Sequence, residues 1–257
     1  MLTNLFGSKS AERILLFLFV NECSYASEVQ RAHGIALTPL QNILQKFEKA
    51  GVLLGEAHRK TKLYRFNPAY PLLDELKALL KKAFIHLPPE EKRALFARKN
   101  QWRGDEYAQQ KRIALCLDAF WQRLKNVQRV SIQTQEEDRA YGEVRVGVEK
   151  ADALLFTENG HWTQCTKQGI EFSNCLRWSL DRAAGMVALE HLRYGPHRPV
   201  FLFHLAPTGP NTLQSIDSHL CADDCYFGRI EFTRQHIRLI WRIIGRRKNE
   251  ILHHIYS

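Results

Sequence analysis

The spacing of apolar residues along this chain changes near residue 127, from a helical repeat to alternation by twos, so the two halves predict different architectures. In the first half a helix opens at Ser10-Ala11-Glu12-Arg13 and carries an apolar run over residues 14–20. A second helix is predicted over about 24–33, with Gly34 making the turn that follows. Thr38-Pro39 then opens a third helix as N-cap and first helical residue, because a threonine oxygen caps free amides and proline forfeits no useful N–H there. Leu40, Ile43, Leu44 and Phe47 supply its inward face, and Gly51 ends it. Residues 52–58 and 62–66 read as two short strands around the charged turn Arg59-Lys60-Thr61. Over about 70–85, Leu72, Leu73, Leu76, Leu79 and Leu80 recur at helical spacing. That stripe is covered either by the preceding helices or by the same helix of a second copy, which leaves a homodimer open.

His86-Leu87-Pro88-Pro89 breaks this helix and Glu90-Glu91 marks a new start. Residues 90–112 are charged, with few apolar anchors, and read as a linker; residues 114–120 regain apolar character. Beyond them, the segments 142–148, 172–180, 186–192, 200–205, 226–232 and 236–243 contain alternating stretches. Their separators are turn-like: Glu158-Asn159-Gly160, Lys167-Gln168-Gly169, Arg182-Ala183-Ala184-Gly185 and Pro207-Thr208-Gly209-Pro210. Eight to ten short strands in sequence suggest an antiparallel meander, which removes its exposed edges by closing into a barrel. The expected fold class is α+β and multidomain: a winged helix-turn-helix in residues 1–85, a basic helical linker in 86–127 and an antiparallel barrel in 128–257.

Composition sharpens this division. The 257 residues carry a formal net charge of +10, and 45% are hydrophobic, enough for ordinary folded cores. Residues 1–85 hold 12 basic and 7 acidic side chains, residues 86–127 hold 9 and 5, and residues 128–257 hold 16 and 15. A basic first half beside a nearly neutral second half fits a polyanion-binding end. Cys23, Cys116, Cys165, Cys175, Cys221 and Cys225 are scattered without a Cys-x-x-Cys pair, so reduced thiols are expected rather than a zinc site or disulfide framework. The run at 14–20 is too short to cross a bilayer and lacks a cleavage site, which gives the expectation of a cytoplasmic protein with no membrane partner.

In a helix-turn-helix the third helix lies in the major groove with its N-terminal residues at base edges. Thr38, Gln41, Asn42 and Gln45 occupy that stretch, and amides pair bidentately with adenine. Lys46, Lys49, Arg59, Lys60 and Lys62 suit phosphates or, in the wing, the minor groove. The alternative is that such residues simply solvate the outer face of a surface helix.

Two resemblances follow from particular motifs. Leu5-Phe6-Gly7-Ser8-Lys9, Leu44-x-x-Phe47-x-x-Ala50-Gly51-Val52-Leu53 and Tyr64-Arg65-Phe66-Asn67-Pro68-x-Tyr70-Pro71 make residues 2–85 resemble the winged-helix domains of small prokaryotic transcriptional regulators. The version they resemble is often found beside nucleotidyltransferase domains. Such a partner needs paired aspartates after a Gly-Ser, and none follows Gly7-Ser8. The last 130–140 residues resemble calycin-like, lipocalin-like barrel domains of unknown function. Phe156-x-Glu158-x-Gly160, His219-x-Cys221-x-x-Asp224-x-Tyr226 and Trp241-x-x-x-Gly245-x-x-Lys248 carry that likeness, with Tyr256 near the end. Arg246 stands where the pattern usually has proline and Asn249 where it usually has aspartate.

Within the barrel, Glu158, Arg177, Trp178, His219, Asp224, Tyr226, Trp241 and Lys248 are the candidate ligand-binding residues, as convergent polar groups with aromatic walls. Three uses stay open for this set: a structural hydrogen-bond network, a ligand cavity, or catalysis with His219 or Asp224 as acid/base and Cys221 as nucleophile. Metal binding by His219, Cys221 and Cys225 lacks an obvious fourth ligand. The resulting reading is a non-enzymatic, DNA-binding transcriptional regulator with a small-molecule-sensing barrel and no cofactor. Its expected partners are double-stranded DNA and a small molecule. The alternative is an enzyme acting in the barrel, with the winged helix as an assembly or tethering module.

Overall fold

A computed structural model describes residues 1–58, 61–88, 91–92, 95, 106–135, 138–163, 169–216, 219–221, 224–246 and 249–257. The chain divides into two compact units, the first centred on Met1–Ala97 and the second on Arg98–Ile243.

In the first unit a short helix α1 (Thr3–Phe6) precedes α2 (Lys9–Asn21). The expected start at Ser10 moves back one residue because Ser8 is the cap, its Oγ accepting from the Ala11 N–H at 3.1 Å. Residues 14–20 are buried on every side, so α2 is the central helix of this unit. The second predicted helix loses its first two residues to a strand. Ser24 and Tyr25 belong to β1 (Cys23–Tyr25), and α3 (Ala26–His33) begins after them, with Glu28 accepting from Ser24 Oγ at 2.7 Å and Tyr25 N–H at 3.0 Å. Gly34 ends α3 at φ 63°, a left-handed conformation that favours glycine.

Helix α4 (Leu37–Lys49) starts ahead of the predicted Thr38 cap, with Ala36 at the N-cap and no capping side chain. Pro39 still lies in the first turn, where its missing N–H costs no intrahelical bond. Leu40 and Leu44 are buried, whereas Ile43 and Phe47 are half-buried. Strands β2 (Leu53–His58) and β3 (Thr61–Phe66) form a hairpin with His58 opposite Thr61. Thr61 is therefore in the strand, and Arg59 and Lys60 lie outside the described residues. The sheet is antiparallel in the order β1-β3-β2. Helix α5 (Leu73–Ile85) buries Leu80, Ala83 and Phe84, while Leu72 stays exposed.

The second unit starts with helix α6 (Glu106–Leu124), and most of the stretch predicted as linker ahead of it, 93–94 and 96–105, lies outside the described residues. The carboxy-terminal half of that predicted linker is no linker. Cys116, Leu117, Phe120, Trp121 and Leu124 join the buried core of the strands, because these positions recur at helical spacing and present one apolar face. Asp118 pairs with Arg182, and the Arg123 Nε–H donates to the Thr233 carbonyl at 3.1 Å, fixing the polar side of α6.

The strands are β4 (Arg129–Thr134), β5 (Arg139–Lys150), β6 (Ala153–Trp162), β7 (Glu171–Asp181), β8 (Met186–His191), β9 (Val200–Gly209), β10 (Thr212–Ser215), β11 (His219–Cys221), β12 (Asp224–Phe232), β13 (Ile237–Ile244) and β14 (Asn249–Tyr256). Apart from β10 and β11, each neighbours the next; β14 pairs with β4, and β10 pairs with β12. The result is a closed barrel of ten antiparallel strands, with β11 added outside the ring on β12. The expected closed meander is present.

Two expected turns are strand instead. Glu158-Asn159-Gly160 lies inside β6, and Pro207-Thr208-Gly209 ends β9. Gly160 opposes Gly142 on β5 and Phe172 on β7, and a Cβ on Gly160 would stand 2.2 Å from the Tyr141 carbonyl oxygen and 2.7 Å from the Phe172 ring. The glycines make room for a close strand approach under an aromatic ring, not for a turn. Lys167 and Gln168 of the expected Lys167-Gln168-Gly169 turn lie outside the described residues.

Candidate functional site: a cavity at one end of the barrel

Alternation along each strand sends one set of side chains inward, and the inward set differs between the two ends of the barrel. At the α6 end aromatic rings fill the space: Phe120 meets Trp178 at 5.9 Å and Phe232 at 5.5 Å between centroids, and Phe156 meets Trp178 at 6.0 Å. Further along the same strands, Leu176, Val200, Leu202, Ile243 and Leu252 are smaller, and a cavity of about 230 Å³ opens among them. Tyr226 and Trp241 provide its aromatic wall.

Its polar groups come from strand ends distant in sequence: Asn174 on β7, His191 on β8 with Arg193 just beyond, His219 on β11 and His254 on β14. The Arg193 backbone N–H donates to His191 Nδ1 at 3.0 Å, so the neutral imidazole carries its proton on Nε2. His219 faces Tyr226 across the β11–β12 pair, ring centroids 5.8 Å apart. Burial, then the nearby Arg193 charge, lowers the pKa of both His191 and His219. Burial and the neighbouring His253 push His254 down to about 4. Among the described residues, His254 Nδ1 and Trp241 Nε1 have no hydrogen-bond partner.

Behind Asn174 lies a buried carboxyl. Asn174 Nδ2 donates to Glu158 Oε2 at 3.1 Å, and Tyr256 Oη donates to Glu158 Oε1 at 2.8 Å. Burial raises the Glu158 pKa, and these two hydrogen bonds offset part of that rise. Burial, then the carboxylate charge, raises Tyr256 well above the ordinary phenol value. No aspartate or glutamate is among the described residues lining the cavity.

Of the predicted ligand residues, His219, Tyr226 and Trp241 line the cavity, and Glu158 sits one hydrogen bond behind it. Trp178 is in the packed core toward α6, not at the cavity. Arg177 is also displaced from the site: strand alternation turns it away from the interior, where its guanidinium donates to Glu190 at 3.2 Å and Glu149 at 3.1 Å. Asp224 pairs in register with Cys221 and does not line the cavity. Lys248 lies outside the described residues. The sequence reading missed Asn174, His191, Arg193 and His254; the i, i+2 spacing of Leu252, His254 and Tyr256 was the available signal for the last.

In the first unit, Thr38, Gln41, Asn42, Gln45, Lys46 and Lys49 are all exposed on α4. Lys62 is exposed too, but its ammonium pairs with Glu48 at 3.1 Å, and that pairing raises its pKa. Among the described residues no group of three or more His, Cys, Asp or Glu side chains is placed to hold a metal, and no helix is long and apolar enough to cross a membrane.

No curated protein matches the sequence. Among solved structures the chain is similar to a redesigned β-barrel, mFAP1, bound to DFHBI: 9% identity, 57% of this chain and 98% of that one, TM-score 0.30. It is also similar to EF1p2_mFAP2b bound to DFHBI, at 8% identity over 56% of this chain and 98% of that one, TM-score 0.32. A family model described as a family of unknown function (DUF6314) matches residues 117–257, from within α6 to the end of β14. That match spans more than half of the sequence and takes in the entire barrel, so the chain belongs to the DUF6314 family of unknown function.

Proposed function

We propose that this chain is a DNA-binding transcriptional regulator, in which the first unit is a winged helix-turn-helix and the calycin-like barrel holds a small-molecule effector. The observation that carries the reading is the outer face of α4. Six polar side chains, from Thr38 to Lys49, are exposed on a helix that follows α3 across a short turn and precedes the β2–β3 hairpin. That order supports α4 as the major-groove helix and the hairpin as the wing. Gln41, Asn42 and Gln45 are suited to base edges and Lys46 and Lys49 to phosphates. Lys62, already paired with Glu48, contributes less than the other cations. The barrel cavity supports the sensing half, since a partly apolar recess with a few convergent polar groups is the form small-molecule sites take. Effector occupancy regulates only to the extent that its affinity differs between DNA-bound and free protein.

DNA-site selection with the full-length protein, followed by binding across a salt series, tests this. One sequence motif is expected, with Gln41→Ala or Asn42→Ala relaxing it. Lys46→Ala and Lys49→Ala should weaken binding on all sequences and each flatten the salt slope by about 1. Selection of no motif, together with unchanged binding in the lysine variants, would overturn the assignment.

A further inference from the structure

We propose that the barrel cavity selects a compact organic carboxylate with an apolar or aromatic body, and that Arg193, with His191 and His219 beside it, reads the negative end. This rests on the reading of the barrel as a ligand site and names the class of ligand.

The first argument is charge. Among the described residues lining the cavity, Arg193 is the permanently charged one, and none is a carboxylate. The Arg193 guanidinium lies over the Tyr194 ring, 4.8 Å from its centroid, and makes no ion pair among the described residues. Arg177, by contrast, is neutralised by Glu149 and Glu190 on the outside of the same barrel. A cation left unpaired at the edge of an apolar recess favours an anionic guest over a neutral or cationic one. Glu158 is close, but it stands behind Asn174, whose amide group donates to it.

The second argument is hydrogen-bond polarity. His191 accepts from the Arg193 backbone through Nδ1, which leaves Nε2–H as a donor. That donor and the Arg193 guanidinium call for acceptor oxygens, and one arginine balances one negative charge, which favours a monocarboxylate over a phosphate. The third argument is shape. Leu176, Leu202, Ile243 and Leu252 wall the remainder, and about 230 Å³ falls below the roughly 300–1,000 Å³ of drug-sized sites. The guest is therefore small, with one charged end and an apolar remainder.

Calorimetric titration of the full-length protein with matched trios tests the inference: indole-3-acetate, indole-3-acetamide and tryptamine, and octanoate, octanamide and octylamine. In at least one trio the acid should bind one to one and about ten-fold tighter than its amide, with the amine weaker than both. Arg193→Gln, a change at an exposed side chain, should bring the acid to the level of the amide and leave the amide where it was. Leu202→Trp, or Val200→Phe should that variant not fold, should abolish binding of both. Acids and amides that bind equally, yet are excluded by the cavity-filling variant, overturn the anion preference and leave the ligand site standing. Preference for the acid that survives Arg193→Gln overturns the role of Arg193. If no member of either trio binds, both the carboxylate inference and the ligand-site reading fall.

Discussion

Tyr256 hydrogen-bonds to Glu158 at 2.8 Å inside the barrel, joining β14 to β6 across 98 residues of sequence. The phenol is the closer of the two donors holding a buried carboxyl, the other being Asn174 at 3.1 Å. Tyr256→Phe keeps the ring contact with Phe156, centroids 5.8 Å apart, and removes the donor alone. Leaving a buried acceptor short of a partner costs about 1–3 kcal/mol. Urea unfolding of the variant should show that loss without a change in the denaturant slope; a loss below about 0.5 kcal/mol would mean the contact is energetically silent.

The imidazole of His254 gives the barrel an acid-sensitive component. Its pKa falls from 6.5 to about 4 on folding, chiefly through burial. The unfolded chain therefore binds a proton more readily than the folded one between those values. The contribution of His254 to stability is complete above pH 6.5, declines as the pH drops toward 4, and amounts to about 3 kcal/mol at most. His254→Gln should reduce the difference in unfolding free energy between pH 7 and pH 5, measured by chemical denaturation at each pH. An undiminished difference would assign the acid sensitivity to other groups.

Gly160 tolerates no side chain. An added Cβ would meet the Tyr141 carbonyl oxygen at 2.2 Å and Gly142 Cα at 2.6 Å, both backbone atoms that no rotamer change can move. Overpacking of this kind costs about 1–3 kcal/mol or more. Gly160→Ala should lower the melting temperature of the barrel, whereas Gly195→Ala, with open space around its Cβ, should show only the strain of its φ of 88°.

Helix α6 is expected to be part of the barrel in solution. Trp121 and Phe120 are fully buried, and truncating such a side chain to alanine costs about 3–5 kcal/mol. A fragment beginning at Glu106 should fold to a cooperative species by near-ultraviolet circular dichroism. A fragment beginning at Gln128 should not. Equal cooperativity in the two would show that the helix is dispensable.

The sequence made helices α2 to α5 and the β2–β3 hairpin readable because their apolar residues repeat with the period of the element. It hid β6 and β14 for a physical reason. Inward positions on β6 run Leu154, Phe156, Glu158, Gly160 and Trp162, so a carboxyl and a glycine interrupt the alternation and imitate a turn. On β14 His254 does the same between Leu252 and Tyr256. Both interruptions fall at or beside the cavity, where polar groups replace core residues. The aromatic half of the cavity, Tyr226 and Trp241, was legible from residue type. Arg193 and His191 were not, since they meet His219 only after ring closure brings the ends of β8 and β11 together. Helix α6 was mistaken for linker because its apolar face follows a long charged stretch.

The pairing of β14 with β4 has a consequence for biosynthesis. Tyr256 lies opposite Val130, and the Ser257 N–H bonds to the Arg129 carbonyl, so the seam of the ring joins its first strand to its last. Until β14 is free to pair, β4 and β13 both present unpaired edges, and the nine other strands of the ring form an open sheet. Open edges of that length are sites of aggregation. The newly made chain thus has to hold a nearly complete sheet apart from its neighbours until one strand, β14, arrives to seal it.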